Sequence, residues 1–185
     1  KQYAGSPAES IQWERWLTDV FHEEQLDGNN RYMALVRLTF LYFNYKQFDR
    51  LRAKFDAFDL LLQKGIYYSR RLLINYYSNR LLLHNYCGEN DQAIWYGYLS
   101  IREKNADYIH YVNTLSGVLL KQNRSVEALE VMRKAYSELK SVTSFHNRLV
   151  FVSFYLRALH ANGLLKNADN YAETFLRAYS EEIFD

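Results

Sequence analysis

The sequence predicts an all-α chain built from stacked helix pairs, and three observations carry that expectation. Four stretches share one pattern: an apolar helical run, a short break often marked by Gly or Asn, then an amphipathic helix with a small or apolar anchor at Leu51, Ala93, Ala128 or Ala168. The anchors recur at spacings of 42, 35 and 40 residues. One Pro and seven Gly leave little material for linkers, while abundant Leu, Ala, Glu, Lys, Arg and Gln favours long helices. A hydrophobic fraction of 49% in 185 residues suits either one compact domain or a continuous solenoid in which each pair buries its apolar stripe on the next.

The first helix is announced by Ser6, Pro7 and Glu9, a Ser-x-x-Glu capping box with Pro in the first turn. Trp13, Trp16, Leu17, Val20 and Phe21 then follow the spacing of a single buried face. Leu26-Asp27-Gly28-Asn29-Asn30 breaks this helix. Residues 1–30 thus form a packing helix and loop, and 31–185 the repeat domain, in pairs at about 31–64, 66–104, 105–140 and 143–185. Within the pairs, helices are expected over Tyr32 to Asn44 and Phe48 to Gln63, closed by Gly65, and over Tyr68 to Tyr86 and Asp91 to Glu103, with Asn90 as N-cap. The remaining helices run from Asp107 to Gln122, Val126 to Lys140 with Ser125 as cap, Phe145 to Asn162, and Asn167 to Ile183. Gly28, Gly65, Gly88 and Gly163 punctuate helices. Gly97 and Gly117 fall inside them, at about 1 kcal/mol each relative to Ala, and are expected to permit close helix contact.

These residues resemble the tetratricopeptide repeat family, in degenerate form. That family places a glycine near the turn inside each helix pair, a large residue two positions on and an alanine three beyond. Gly163, Leu165 and Ala168 match fully. Gly88 and Ala93 match around Asn90, Ala128 matches alone, and in the first unit Phe48 matches while Lys46 and Leu51 depart. No unit ends in the proline common in the family, and two of the three spacings exceed its repeat of roughly 34 residues. The resemblance covers about Arg31 to Tyr179. It implies a right-handed α-α superhelix of about four helix-turn-helix repeats plus the N-terminal helix. The first helix of each pair would line a concave groove for a peptide.

Carried over by position, the implied groove residues are Met33, Val36, Arg37, Phe40 and Asn44 in the first unit, and Asn75, Ser78, Asn79, Leu82 and Asn85 in the second. The third contributes His110, Asn113, Thr114 and Lys121, and the fourth Ser153, Arg157 and His160. Arg37, Phe40, Asn44, Asn75, Asn79, Asn85, Asn113, Lys121, Arg157 and His160 are the candidate partner-binding residues. An Asn side chain both donates to and accepts from a peptide backbone, which gives these positions a chemical rationale, although Asn also caps helices or faces water.

Charge is uneven although the total is only +2. Residues 1–30 carry two basic and six acidic side chains, residues 31–88 ten and three, and residues 89–185 eleven and twelve. No acid occurs between Asp59 and Glu89, where Lys64, Arg70, Arg71 and Arg80 form a basic patch. Its counter-charge is either the acidic first helix or an external acidic peptide or phosphate. Seventeen Tyr and eleven Phe, interleaved with basic residues in Tyr67-Tyr68-Ser69-Arg70-Arg71, also suit stacked bases, but the modest net charge and the lack of a binding motif rank nucleic acid below a protein partner.

Catalytic signals are poor. His22-Glu23-Glu24 lacks the second His of a zinc helix, no phosphate loop, serine elbow or dinucleotide fingerprint occurs, and the lone Cys87 has no adjacent base. One cysteine excludes an internal disulfide, which suits a reducing, cytoplasmic setting. No apolar run nears the roughly 18 residues of a membrane span. The chain starts at Lys1 without Met and is expected to be a segment of a longer protein. The expected function is a non-catalytic interaction module without cofactor or metal, binding a protein or an acidic peptide. The alternative is a peptide-sensing domain of a transcription regulator or other effector, and a homodimer through Ala172, Phe175 and Leu176 is a further option.

Overall fold

The computed structural model describes residues 7–64, 69–105, 107–142 and 144–178, and for residues 7–9 and Arg71 the backbone alone. Every regular element among them is helical: α1 (Pro7–His22), α2 (Gly28–Asn44), α3 (Phe48–Gln63), α4 (Arg70–Tyr86), α5 (Asn90–Ser100), α6 (Tyr108–Lys121), α7 (Ser125–Ala135) with a 3-10 extension (Tyr136–Ser141), α8 (Phe145–Ala161) and α9 (Leu165–Ala178). The chain divides into two compact units, residues 1–83 and 84–185. The capping box at Ser6 and Glu9, the helix end at Gly65 and the stretch from Tyr179 to Ile183 lie outside the described residues or side chains.

One backbone device recurs four times. Lys46, Gly88, Asn123 and Gly163 have φ of 54°, 76°, 58° and 73°. The amide of the next residue donates to the carbonyl five positions back: Gln47 to Tyr42 (2.9 Å), Glu89 to His84 (2.8 Å), Arg124 to Leu119 (2.9 Å) and Leu164 to Leu159 (3.0 Å). This is the six-to-one bond of a left-handed helix end, and the following helix begins one residue later each time. The predicted anchors all fall five residues after the left-handed residue. Leu51, Ala93 and Ala128 are fully buried there, and Ala168 is half-buried. The recurrence read from the sequence is therefore a recurrence of turn geometry, and two of its four left-handed residues are not glycine.

That turn also corrects two expected caps. Asn90 and Ser125 are the first residues of α5 and α7, and the cap positions belong to Glu89 and Arg124, neither of which makes a side-chain cap bond. The six-to-one bond delivers the chain into the next helix so directly that no capping side chain is needed. The break expected at Gly28-Asn29-Asn30 is likewise the first turn of α2. Asp27 Oδ1 accepts from the amides of Asn29 (2.8 Å) and Asn30 (3.0 Å) and starts the helix there.

In the first unit, Phe21 of α1, Tyr32, Leu35 and Leu38 of α2, Leu51, Phe55 and Phe58 of α3, and Tyr76 of α4 form the core. Their rings interlock, with centroids 5.2 Å apart for Tyr32 and Phe58, 4.9 Å for Phe58 and Tyr76, and 5.5 Å for Phe55 and Tyr76. The expected buried face of α1 is only half observed. Leu17 and Phe21 are buried, while Trp13 and Trp16 are 58% and 55% exposed and meet edge to face, 5.5 Å between centroids. The spacing marks a face, of which the fold buries Leu17 and Phe21 and leaves both indoles to solvent.

The second unit packs Ala93 and Ile94 of α5, Val112, Leu115 and Leu119 of α6, Ala128 and Met132 of α7, Phe151 and Leu159 of α8, and Phe175 of α9. Gly97 and Gly117 sit at helix crossings, as expected of them. A Cβ on Gly97 would stand 2.6 Å from Leu115 Cδ1, and one on Gly117 would stand 3.0 Å from Phe154 Cζ. Phe175, expected on an exposed dimer face, is buried in this unit, and Leu176 beside it is exposed.

Candidate functional site

Because the four left-handed turns are equivalent, positions on the helix before each can be compared by counting back. Thirteen, nine, six and two residues before the turn residue lie Met33, Arg37, Phe40 and Asn44 on α2, and Asn75, Asn79, Leu82 and Tyr86 on α4. On α6 they are His110, Thr114, Gly117 and Lys121, and on α8 Val150, Phe154, Arg157 and Ala161. Steps of four, three and four keep each set on one helix face. None of these sixteen residues is fully buried, and on α2 all four are exposed, Phe40 by 63%.

The position ten residues before the turn behaves differently. Ser78 and Asn113 are buried, Val36 is half-buried, and only Ser153 on α8 is exposed. Asn113, expected to meet a peptide, is 3% exposed and its Nδ2 donates to the carbonyl of Asn147 on α8 at 3.0 Å. It is a tie between α6 and α8. The sequence-based set thus mixes accessible positions with one, Asn113, that is spent on the neighbouring helix. Helical periodicity alone does not separate rows one residue apart.

Asn75 and Asn79 form a small network with Tyr32 of α2. The Tyr32 hydroxyl donates to Asn75 Oδ1 at 2.7 Å, and Asn79 Nδ2 donates to the same oxygen at 3.1 Å. These bonds orient both amides at a half-exposed surface, with Asn75 Nδ2 and Asn79 Oδ1 outside the network. Lys121, Arg157 and His160 are exposed and Asn85 is half-buried. The Arg157 guanidinium lies over the Phe154 ring at 5.6 Å from its centroid.

The basic patch does not survive as drawn. Arg80 is only 7% exposed, donates to Asp59 Oδ2 at 2.7 Å and Asp56 Oδ1 at 3.3 Å, and covers the Phe55 ring at 5.5 Å. It serves the core between α3 and α4, where two acids that are distant in sequence neutralise it. Lys64 and Arg70 are exposed, and the Arg71 side chain, Tyr67 and Tyr68 lie outside what is described. Tyr76 is buried, and its hydroxyl donates to Asp59 at 2.5 Å.

Two clefts lie away from the open stripes. One of about 490 Å³ runs between α1 and α3 and includes Glu14, Tyr42, Arg50 and Lys54. There Glu14 Oε1 accepts from the Tyr42 hydroxyl (3.0 Å) and from Arg50 (2.8 Å). Burial first, and the Glu14 bond second, push the Tyr42 hydroxyl up to about 12. Burial also lowers Lys54, whose Nζ is 3.3 Å from His22 Nε2, and holds His22 below its ordinary value with help from the Lys54 and Arg31 charges. The second cleft, about 340 Å³, lies among α7, α8 and α9 and carries Tyr136, Tyr155 and Tyr171. No group of three or more His, Cys, Asp or Glu among the described residues is placed to hold a metal ion. No helix among them is long and apolar enough to cross a membrane.

No protein-family model matches this sequence, and no curated protein compared with it matches.

Proposed function

We propose that the protein is a non-catalytic interaction module, resembling tetratricopeptide repeats, that binds a peptide or protein segment on the even-numbered helices within a unit, α2 and α4 in the first or α6 and α8 in the second. The observation that carries this reading is the stripe at the same four positions before each turn, exposed throughout on α2 and never fully buried on α4, α6 and α8, while α3, α5 and α7 bury their anchors. A fold that needed those faces only for solubility would fill them with charge. Instead α2 presents Met33 and Phe40 to solvent, and α4 presents oriented amides at Asn75 and Asn79. Exposed apolar anchors beside amide donors and acceptors suit an extended segment, whose side chains need pockets and whose main chain needs partners.

The test is binding to a peptide array by wild type and by Met33→Ser/Phe40→Ser. Both residues are exposed, so the double variant should keep its stability to within about 0.5 kcal/mol. Peptides retained by wild type and lost by the variant support the reading. An identical profile for the two proteins refutes it for the α2 face.

A further inference from the structure

The even-numbered helices share a second property, of charge. None of the 17 residues of α2, the 17 of α4, the 14 of α6 or the 17 of α8 is Asp or Glu, so all 21 acids of the chain lie elsewhere. Asp27 and Asp107 stop at the cap positions of α2 and α6, and the next acids begin in the paired helix or its cap. Chance does not readily clear four long helices in a chain that is 24% charged. In the second unit four acids of the odd-numbered side are moreover already matched. Glu127 is held by Arg124 (2.6 Å), Glu130 by Lys134 (2.6 Å) and Glu138 by Lys104 (2.6 Å), and Glu173 is held by Arg177. Lys121 of α6 and Arg157 of α8 are exposed with no carboxylate within ion-pair distance among the described residues.

These two cations share a surface. Asn113 of α6 reaches Asn147 of α8, and Gly117, four residues on, approaches Phe154, seven residues on. The contacts advance in the same sense along both helices, so α6 and α8 run parallel. Lys121 follows Gly117 by one turn and Arg157 follows Phe154 by one turn, which puts both at the same end of the joint face. The glycine leaves that face shallow, and the Phe154 ring, held under the Arg157 guanidinium, is its apolar floor.

We propose that the joint α6–α8 face receives an acidic peptide segment, with Lys121 and Arg157 as the partners of its carboxylates. This rests on the peptide-binding reading above and adds the chemistry of the partner. An acid-free face removes repulsion along the whole bound segment, and two solvated cations set its register and speed its encounter. A nucleic acid would call for a row of cations, on the order of 6–10 phosphate contacts, where this face offers two.

The test titrates the full chain, followed by amide NMR, with two short peptide pools that differ only in Glu against Gln at fixed positions, and with an oligouridine. The Glu pool should bind roughly tenfold tighter than the Gln pool, shift amides of α6 and α8, and weaken as salt rises. Lys121→Glu/Arg157→Glu should erase that preference and favour a Lys pool, while Lys134→Ala leaves it unchanged. If the double variant loses its far-UV CD, Lys121→Gln alone should halve the preference or more. Equal binding of the Glu and Gln pools overturns the acidic partner and leaves the peptide-binding reading standing. Binding of neither pool overturns both. Tighter binding of oligouridine that depends on Lys121 and Arg157 replaces the peptide with a nucleic acid.

Discussion

The left-handed turns make a quantitative prediction, because two carry glycine and two do not. At Gly88 and Gly163 a Cβ would meet nothing within 4 Å, so substitution by Ala costs only what the backbone imposes. An L-residue with left-handed φ costs about 1–2 kcal/mol. Against this, losing glycine's freedom in the unfolded chain returns roughly 0.4–1 kcal/mol. Gly88→Ala and Gly163→Ala should therefore each destabilise by about 1 kcal/mol. Lys46→Gly runs the other way and should stabilise the first unit by about 0.5–1 kcal/mol. Asn123→Gly should gain only a few tenths, since Asn tolerates this conformation better than Lys. Urea titration followed by far-UV CD reads all four variants, with a midpoint shift at unchanged slope as the expected form. A midpoint that rises for Gly88→Ala, or falls for Lys46→Gly, would refute the equivalence of the four turns.

Other substitutions separate packing, polar ties and exposed residues. Gly97→Ala should destabilise by about 1–3 kcal/mol despite a better helix propensity, because its Cβ would press on Leu115 at 2.6 Å; thermal melts decide it. Arg80→Ala, which strips the cover from Phe55 and the partner from Asp59, should cost about 2–3 kcal/mol, whereas Arg37→Ala on the open face of α2 should stay within about 0.5 kcal/mol. Trp13, Trp16 and Trp95 are all more than half exposed and are the only three Trp in the chain, so urea should shift tryptophan emission little while abolishing helical CD. His22 is held below its ordinary 6.5 by burial and by Lys54 and Arg31. Between its folded pKa and 6.5 the unfolded chain binds more proton, so stability rises with pH across that window and falls on acidification. His22→Asn should flatten that slope in urea midpoints compared at about pH 5 and 8.

How much was legible in the sequence depended on whether a feature is local. The helix pairs were, and the span of α3 matches its expectation, because apolar periodicity and the turn beyond it are read within a dozen residues. Starts were misread where a neighbouring bond decides them. Asp27 turned a predicted break into the first turn of α2, and the six-to-one bond displaced Asn90 and Ser125 from their caps. Faces were misread where a second helix decides them. Trp13 and Trp16 carry the spacing of buried residues without a neighbour to bury them, and Asn113 carries the chemistry of a ligand while tying α6 to α8. Arg80 looked like part of a patch because Asp56 and Asp59 lie more than twenty residues away in sequence and within bonding distance in space.

A count of charge by sequence segment hides the acid-free helices. Averaged over 31–88 the chain is basic, and over 89–185 it is nearly neutral, so the second half looks unremarkable by segment. Sorted by helix it is not neutral at all. Its acids among the described residues sit on α5, α7, α9 and the connections, where several are paired, and α6 and α8 have none. A solvated helix face gains little from excluding one sign of charge, since exposed pairs are worth about 0–1 kcal/mol and mixed charge serves solubility equally well. Excluding acids from four helices is therefore poorly explained by folding, and the burial of Arg31 and Arg80 on those helices shows that folding uses their cations with acceptors from other elements. A constraint that acts on a face, and not on the fold, points to what the face meets.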